Sequence, residues 1–251
     1  MIKMKVAAIV EVRMGSERLP NKSMKKIIGK PMIELLIERL KKAATLDEII
    51  LAIPTSPEND VLEKFARDHG LKCFRGSEDD VLDRVLQAAK KFNVDVIVEI
   101  TGDCPLIDPE ITDKVVDFYL KNFNSYSFVS NVTPMTFPRG LDVRVFSTKV
   151  LEKVSTITND PADRENVSTY IYEHPEKYRL YNIEAEGELR RPDLRICVDT
   201  IEDFKVVKII FENLYHKNPN FGAGEIINFL NENPEVRKIN AHIKQKEIIH
   251  G

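Results

Sequence analysis

Apolar and polar positions alternate along the first hundred residues with two different periods. Short runs of apolar, mostly β-branched residues predict strands at residues 6–12, 48–53, 72–75 and 94–100. Between these runs, apolar residues at three- and four-residue spacing predict helices at residues 32–44, 58–69 and 80–92. Strands separated by helices of this length form right-handed crossovers, so the first half is expected to be a Rossmann-like parallel sheet.

The pattern changes after Thr101. Further strands are predicted at residues 127–131, 141–146, 178–183 and 195–198, and further helices at residues 163–173 and 201–215. Residues 222–239 are typical of one more helix followed by an extended piece, and residues 241–251 of a ragged end. The sequence therefore predicts an α/β fold of three layers around a mixed central sheet, in a single domain over residues 1–251.

Composition and charge narrow the class of ligand. The chain has 251 residues and 43% hydrophobic content, enough for one α/β domain with a buried core. Its 37 Lys and Arg against 40 Asp and Glu give a net charge of -3 without a basic block, which argues against a nucleic-acid partner. The amino-terminal residues form a strand pattern without a long apolar segment, so we expect a soluble, cytoplasmic protein with no membrane partner.

Cysteine and histidine spacings give no sign of a metal centre. The three cysteines, Cys73, Cys104 and Cys197, are expected to be free thiols. No metal-ligand spacing appears for any of the five histidines, which are His69, His174, His216, His242 and His250.

The most informative segment follows the first strand. An apolar run leads into a short loop that carries Arg13, Ser16, Arg18 and Lys22. A basic, hydroxyl-bearing loop at the carboxyl end of a strand presents donors to phosphate groups. Two guanidinium groups and one ammonium group carry more charge than a single phosphate requires, so the loop predicts a nucleoside triphosphate site.

The two common glycine-rich phosphate loops are excluded. A Walker loop requires a glycine directly before its lysine, whereas Lys22 follows Asn21, and Pro20 removes a backbone donor. The dinucleotide fingerprint requires three glycines, and this loop has only Gly15. Side chains rather than backbone amides are therefore expected to hold the phosphates.

Two acidic motifs supply candidate magnesium ligands. In ITGDCPLIDPE, Asp103 follows an apolar strand and a glycine, a position that suits Mg²⁺ against phosphate oxygens and equally suits the cap of a proline-containing turn. In ICVDTIEDF, Thr200 and Asp203 have the spacing of a capping box, which leaves Asp199 unexplained. Because Mg²⁺ usually takes one or two protein carboxylates, Asp103 and Asp199 are predicted to share one ion.

Together these motifs resemble one enzyme family. The stretch VRMGSERLPNKSMKKIIGKPMIELLIERL is similar to the amino-terminal signature of the cytidylyltransferases that activate Kdo and sialic acid, and above all to their SpsF-like branch. The resemblance continues through GSEDDVLDRVLQAAKKF, ITGDCPLIDPEI, FPRGLDVRVFS and CVDTIEDF, and covers about residues 5–215. It implies a nucleotidyltransferase fold of the glycosyltransferase type A-like kind. It also implies transfer of CMP from CTP to a sugar acid or related hydroxyl-bearing acceptor, with release of pyrophosphate, in surface polysaccharide or glycan precursor synthesis.

The resemblance also implies an organisation of the domain. A nucleotide-binding half takes about residues 1–105, and a half for acceptor binding and dimerisation takes about residues 106–240, in a homodimer. The two metal-binding positions of the family match Asp103 and Asp199, but the sialic-acid branch has a further Asp where this chain has Cys197.

The candidate site residues fall into three groups. Catalysis is predicted for Arg13, Lys22 and Asp103. Nucleotide binding is predicted for Val12, Arg13, Gly15, Ser16, Arg18, Lys22, Arg75, Gly76, Arg84, Thr101 and Gly102. Acceptor binding is predicted for Arg139, Asp142, Arg144, Glu165 and Asn166. Of these, Asp142 and Arg144 share a strand face, where an ion pair is more common than a ligand site.

Two other functional classes stay open at the level of sequence. A sugar-nucleotide-dependent glycosyltransferase would share the nucleotide half, but it usually holds its metal with two acids flanking one residue, where this chain has Asp103, Cys104 and Pro105. A non-catalytic nucleotide-binding protein would not need the two metal-binding carboxylates, and both are present.

Overall fold

Strands and helices alternate along the chain, which the computed structural model describes for residues 3–246 and 248–250. The strands are β1 (Val6–Glu11), β2 (Lys26–Ile27), β3 (Lys30–Pro31), β4 (Glu48–Pro54), β5 (Lys72–Gly76), β6 (Val96–Thr101), β7 (Phe128–Ser130), β8 (Arg144–Ser147) and β9 (Leu180–Asn182). The helices are α1 (Met32–Leu40), α2 (Asp60–Asp68), α3 (Val81–Lys91), α4 (Pro109–Lys121), α5 (Thr148–Ser155), α6 (Pro161–Glu165), α7 (Thr169–Glu173), α8 (Ile201–Leu214), α9 (Ala223–Glu232) and α10 (Pro234–Lys238). Single 3₁₀ turns lie at Lys22–Met24, Pro57–Asn59 and Gly187–Leu189.

A mixed sheet forms the centre of the molecule. Seven strands lie in the order β5-β4-β1-β6-β8-β7-β9, and β2 and β3 form a separate hairpin. The pairs among β5, β4, β1 and β6 are parallel, whereas β8 is antiparallel to both of its neighbours, β6 and β7. The predicted fold class, a three-layer α/β fold with a mixed central sheet, is confirmed.

Two apolar cores cover the two faces of the sheet. Alternate residues of β1 show why, because Val6, Ala8 and Val10 belong to one core while Ala7 and Ile9 belong to the other. Helices α1, α2, α4, α8, α9 and α10 supply the first core, and helices α3, α5 and α7 supply the second. Of the helices that the structure describes, none has both the length and the apolar character needed to cross a membrane.

The register of the parallel strands fixes where polar side chains emerge. Glu11, at the end of β1, lies opposite Thr101, at the end of β6. The loop after β1 and the turn after β6 therefore leave the sheet side by side at its carboxyl edge. The Gly102 amide donates a 2.8 Å hydrogen bond to the Glu11 carbonyl, and a Cβ at Gly102 would stand 2.8 Å from the Val12 Cβ. This glycine thus serves the close approach of two backbones, and its contact with a nucleotide stays a prediction.

Two helices were missed in the sequence and one predicted helix is broken. Helices α4 and α5 lie where no element was predicted. The predicted helix over residues 163–173 is wrong as a single element, because it is two short helices, α6 and α7. Val167, between them, has a φ of 47°, which a continuous right-handed helix does not allow.

Two extended segments were also predicted wrongly. Residues 195–198 make only an isolated parallel bridge, between Arg139 and Arg195, and not a strand. The extended piece expected after α9 is instead helix α10, which begins at Pro234, because proline at the first helical position loses no intrahelical hydrogen bond. The tail expected from residue 241 has no helix or strand at residues 241–246 and 248–250, while Glu247 and Gly251 lie outside the described residues.

A glycine turn before β8 provides a test of this architecture. Gly140 has a φ of 111°, and a Cβ there would stand 2.6 Å from the Cys197 amide nitrogen and 2.7 Å from the Ile196 carbonyl carbon. We expect Gly140→Ala to lower the free energy of unfolding by about 3 kcal/mol, from backbone strain and collision with a neighbouring backbone. Urea denaturation followed by circular dichroism measures this loss.

The matched control for this substitution is Gly187→Ala. Gly187 also has a positive φ, 55°, but a Cβ there would meet nothing within 4 Å. Its cost is expected to be about 1 kcal/mol, from the left-handed backbone alone. Equal losses in the two variants would show that the close approach at Gly140 does not matter.

Candidate active site

The loop after β1 is shaped by one buried amide side chain. Asn59 is fully buried, and its Oδ1 accepts a 2.9 Å hydrogen bond from the Met14 amide. The Met14 carbonyl in turn accepts hydrogen bonds from the amides of Ser16 and Asn21, and Asn21 has a φ of 58°. The loop is therefore held by side-chain and turn contacts in place of the glycine-rich backbone of a Walker loop.

The side chains that are predicted to bind phosphate lie on this loop and differ in their exposure to solvent. Val12 is buried in the core, whereas Gly15 is exposed and Ser16 is half-buried. The Arg13 guanidinium lies 3.7 Å from Glu78, and the Arg18 guanidinium lies 3.1 Å from Asp199. Both arginine side chains stay about two-fifths exposed, at 40% and 41%, which leaves them accessible to an anionic ligand.

Lys22 connects the loop with both predicted metal-binding carboxylates. Its ammonium group donates a 2.7 Å hydrogen bond to the Val198 carbonyl and lies 3.1 Å from Asp199 Oδ1 and 3.5 Å from Asp103 Oδ2. The lysine side chain is only 14% exposed. The structure therefore brings Asp103 and Asp199 to one cation from separate parts of the chain.

The charges around Lys22 and Asp199 shift the pKa values of both groups. Burial acts to lower the pKa of Lys22, but the carboxylates of Asp103 and Asp199 raise it above its ordinary value. Burial acts to raise the pKa of Asp199, but Lys22 and two arginines hold it below its ordinary value. Both shifts favour the charged forms of Lys22 and Asp199 at neutral pH.

The sequence did not predict the residues that hold the Asp199 carboxylate in place. The Arg195 guanidinium lies 2.6 Å from Asp199 Oδ2 and 2.9 Å from Asp203, which is fully buried. Asn240, near the carboxyl-terminal end, donates hydrogen bonds to the Arg195 carbonyl and to Asp203. The alternation of Arg195, Cys197 and Asp199 in one extended segment was the available signal, because it places the three on one side.

The capping box predicted at the start of α8 is present. Thr200 accepts a hydrogen bond from the Asp203 amide, and Asp203 accepts from the amides of Thr200 and Asp199. The same carboxylate therefore caps the helix and pairs with Arg195.

Two thiols lie beside these carboxylates and remain protonated. Cys104 and Cys197 are buried, and burial raises the pKa of each thiol well above its ordinary value. The Cys104 thiol donates to Asp103 at 3.4 Å and lies 3.3 Å from the Thr101 hydroxyl. All three cysteines are free, as the sequence predicted.

Three of the predicted nucleotide-binding residues, expected near the cytosine base, make contacts within the protein. The Arg75 guanidinium contacts Asp60 and Glu63 at 2.6 and 2.8 Å and donates to two carbonyls before α2. Arg84 is buried and donates to the carbonyls of Ser77 and Glu78. A Cβ at Gly76 would stand 2.9 Å from the Arg84 Cγ, so this glycine makes room for an arginine. Contact of these residues with a base stays a prediction.

The predicted acceptor residues of the second half include a buried ion-pair network. Asp142 accepts a 2.9 Å hydrogen bond from the Gly140 amide and lies 3.7 Å from Arg144, which in turn lies 3.5 Å from Glu99. Glu99 is 3% exposed, and burial raises the pKa of its carboxyl group. The face shared by Asp142 and Arg144 is therefore an interior one.

The other acceptor candidates make none of the ion pairs of this network among the described residues. Arg139 is half-buried and lines a cavity of about 140 Å³ together with Arg195 and Arg237. Glu165 is exposed at the end of α6. The side-chain amide of Asn166 donates to the Ala162 carbonyl, which gives it a role at the end of that helix.

Comparison with known proteins adds independent information. A family model described as cytidylyltransferase matches residues 7–243. The chain is 38% identical to protein MJ1063 of Methanocaldococcus jannaschii, over 97% of both chains. It is 31% identical to the spore coat polysaccharide biosynthesis protein SpsF of Bacillus subtilis, over 90% of this chain and 94% of that protein.

Solved structures agree with this result. A cytidylyltransferase from Leptospira borgpetersenii superposes with a TM-score of 0.89 at 32% identity, and the match covers 98% of this chain and 100% of that one. CMP:2-keto-3-deoxy-manno-octonic acid synthetase complexed with CTP superposes with a TM-score of 0.65 at 19% identity, over 84% of this chain and 99% of that one. At 19% identity, the similarity to the second structure shows only a shared fold.

The lowered pKa of Asp199 predicts a pH-dependent contribution to stability. An unfolded Asp titrates near pH 3.9, so ionised Asp199 stabilises the fold above about pH 4, and this stabilisation is lost as the pH falls through its lower folded pKa. We expect Asp199→Asn to lower the free energy of unfolding by about 2 kcal/mol at pH 7. In urea denaturation between pH 7 and pH 3, the difference from wild type should shrink only in the most acidic part of the range.

An exposed ion pair provides the control for Asp199→Asn. Asp68 pairs with Lys64 on α2 at 2.5 Å, and both side chains are exposed. Any effect of Asp68→Asn should vanish in about 1 M salt, whereas that of Asp199→Asn should persist, because exposed charges are screened and half-buried ones are not. A salt-sensitive Asp199 effect would contradict the network described here.

Proposed function

The chain belongs to the cytidylyltransferase family, and we propose that it transfers CMP from CTP to a hydroxyl group of a sugar acid or related polyhydroxy acceptor, with release of pyrophosphate. Family membership confirms the resemblance that the sequence motifs indicated. The observation that carries the proposal is the position of Lys22, which joins a basic loop to Asp103 and Asp199. Basic groups for a triphosphate and carboxylates for a metal thus meet at one edge of the sheet.

The loop provides the electrostatic part of the proposed reaction. A triphosphate brings about four negative charges, which Arg13 and Arg18 can approach because their side chains are partly exposed. The acceptor hydroxyl oxygen attacks the α-phosphorus in line, the bond from that phosphorus to the pyrophosphate oxygen breaks, and the hydroxyl proton passes to solvent. The arginines and Ser16 stabilise the charge that moves onto pyrophosphate, so catalysis rests on positioning and charge.

The surroundings of Lys22 support a second role beside its predicted contact with phosphates, which stays a prediction. Its ammonium group is already surrounded by the Val198 carbonyl and two carboxylates, and little of the side chain is exposed. We propose that Lys22 holds the carboxylates in position and shares them with a bound ion. To contact the distal phosphates, the Lys22 ammonium group would then have to leave one of the two carboxylates.

Asp103 and Asp199 would hold Mg²⁺. Their fit to the ion is supported by the donor set, because two carboxylates that share one ammonium group can share a hard cation that prefers oxygen ligands. A bound Mg²⁺ would neutralise phosphate charge and make the phosphorus more electrophilic. Asp103 is the more accessible ligand, with 24% of its side chain exposed against 11% for Asp199.

We propose that the second half binds the acceptor through Arg139, Asp142 and Arg144. A half-buried arginine beside a cavity suits an anionic group, and a carboxylate paired with an arginine suits hydroxyl groups. Glu165 and Asn166 stay candidates from the family resemblance. The similarity to the spore coat polysaccharide biosynthesis protein of Bacillus subtilis supports a role in surface polysaccharide synthesis. The boundary between the halves is not sharp at the site, because Asp199 contacts the loop of the first half.

Oligomeric state and location complete the proposal. We propose a homodimer formed through the second half, because β9 is an outer strand of the sheet in this protomer and carries the 39% exposed Tyr181, stacked on Phe118. We propose a cytoplasmic location because the substrate is a nucleoside triphosphate and the three cysteines are free thiols.

A pyrophosphate assay tests the proposed reaction. The protein is incubated with each of the four nucleoside triphosphates, Mg²⁺ and a panel of Kdo, sialic acid, aldoses and polyols. We expect release of pyrophosphate with CTP in the presence of one acceptor class and little release with the other nucleotides. Failure to bind any nucleoside triphosphate would exclude the proposal, and hydrolysis of a sugar nucleotide in place of CTP would favour a glycosyltransferase.

Asp103→Asn tests the metal site. The variant keeps the shape of the side chain but loses its charge, so we expect turnover to fall by about 100-fold or more and the dependence on Mg²⁺ concentration to weaken. The control is Asp117→Asn, which removes an exposed carboxylate of α4 and should leave turnover unchanged. Wild-type turnover in Asp103→Asn would remove this residue from the site.

A further inference from the structure

A second polar cluster lies around the start of α6. This helix packs against α3, on the face of the sheet that α3, α5 and α7 cover. Asp160 caps this helix, since its Oδ1 accepts a 2.8 Å hydrogen bond from the Ala162 amide. Asp163 follows within the helix and is only 4% exposed. Two carboxylates are thus fixed near each other by the backbone of one short helix.

One oxygen of Asp163 is buried without a donor. Its Oδ2 accepts a 2.5 Å hydrogen bond from the Thr158 hydroxyl, while its Oδ1 has no hydrogen-bond partner among the described residues. A buried carboxylate oxygen without a hydrogen bond lowers the stability of the folded state. Native proteins usually satisfy such an atom with a donor, a water or an ion. The oxygen therefore points to a ligand at this place.

His250 brings a nitrogen to the same cluster from the carboxyl-terminal tail. Its Nδ1 lies 3.4 Å from Asp160 Oδ1, and its Nε2 lies 2.9 Å from Glu173 Oε2. One ligand atom from each of Asp160, Asp163 and His250 lies within 4.8 Å of the others. The separation of 3.4 Å is close to the roughly 3.3 Å expected between two ligands of one tetrahedral zinc ion.

We propose that Asp160, Asp163 and His250 form a binding site for a divalent transition-metal ion such as Zn²⁺ or Co²⁺. One imidazole nitrogen with two carboxylate oxygens is a ligand set of this class, and water would complete the coordination. Glu173 is positioned to accept a hydrogen from Nε2, which leaves the lone pair of Nδ1 directed at the carboxylates. This carboxylate-histidine arrangement commonly orients a metal-bound imidazole.

The ion would fasten the tail to a part of the fold that reaches α3. Arg164 of α6 pairs with Asp80, which caps the start of α3 by accepting from the Asp83 amide. The ion would therefore have a structural role, and none of its proposed ligands belongs to the Asp103 and Asp199 pair. Sequence spacing could not reveal it, because its histidine and its carboxylates are far apart in the chain.

Titration with Co²⁺ tests the site through the visible absorption of the bound ion. The chain must carry no histidine tag, and the titration is done in the Asp103→Asn background, because Co²⁺ can also bind at the proposed magnesium site. We expect one equivalent of Co²⁺ to bind. His250→Ala should abolish stoichiometric binding, and Glu173→Gln should weaken it by about tenfold. The control His242→Ala removes an exposed histidine of the same tail and should bind like the parent.

Thermal unfolding provides a second measurement that does not depend on absorption. Zn²⁺ should raise the melting temperature of the parent and of His242→Ala by a few degrees, and should leave that of His250→Ala unchanged. Because 40% of the His250 side chain is exposed and the residue lies outside the apolar cores, the metal-free His250→Ala protein is expected to fold normally. The proposal is overturned if no stoichiometric ion binds, or if binding and stabilisation survive in His250→Ala; His250 then acts only as a charged partner of the carboxylates.

Discussion

The contact of the Lys22 ammonium group with two carboxylates is the interaction on which the candidate site depends. Asp103 and Asp199 carry like charges, and without a cation between them they would repel each other in a partly buried place. Asp199 has further partners in Arg18 and Arg195, but among the described residues Asp103 makes an ion pair only with Lys22. One ammonium group therefore holds together the loop after β1, the end of β6 and the segment before α8.

Support for this contact extends well beyond the site. Asp203 is fully buried, caps α8 and pairs with Arg195, and Arg195 pairs with Asp199. Asn240 adds hydrogen bonds from a segment close to the carboxyl terminus. The position of Asp199 is thus set by the same groups that start a helix of the core. Such shared use of one carboxylate makes the site rigid, which suits a reaction that relies on positioning.

The first half of the fold followed from sequence because its signals are local. Strand β1 is buried on both faces and has an unbroken apolar run, and α1 has a clear helical period. The second half was harder, because local geometry overrides the pattern: Val167 breaks a helical stretch with a positive φ. The loop after β1 and the motif with Asp103 follow buried strands, and the motif with Asp199 follows an apolar segment that makes only an isolated bridge, so a local pattern marks each of them in the sequence. Arg195 and Asn59 were missed, since each acts on residues that only folding brings near.

The distance along the chain between the two carboxylates has a consequence for biosynthesis. The loop with Lys22 and the strand end with Asp103 leave the ribosome long before Asp199, and the residues that fix Asp199 extend to Asn240. A nascent chain can therefore build most of its parallel sheet while the pair of carboxylates is still incomplete. A chain that stops before residue 199 would lack the paired site even if its first half had folded, and one that stops before Asn240 would lack part of the support of that site.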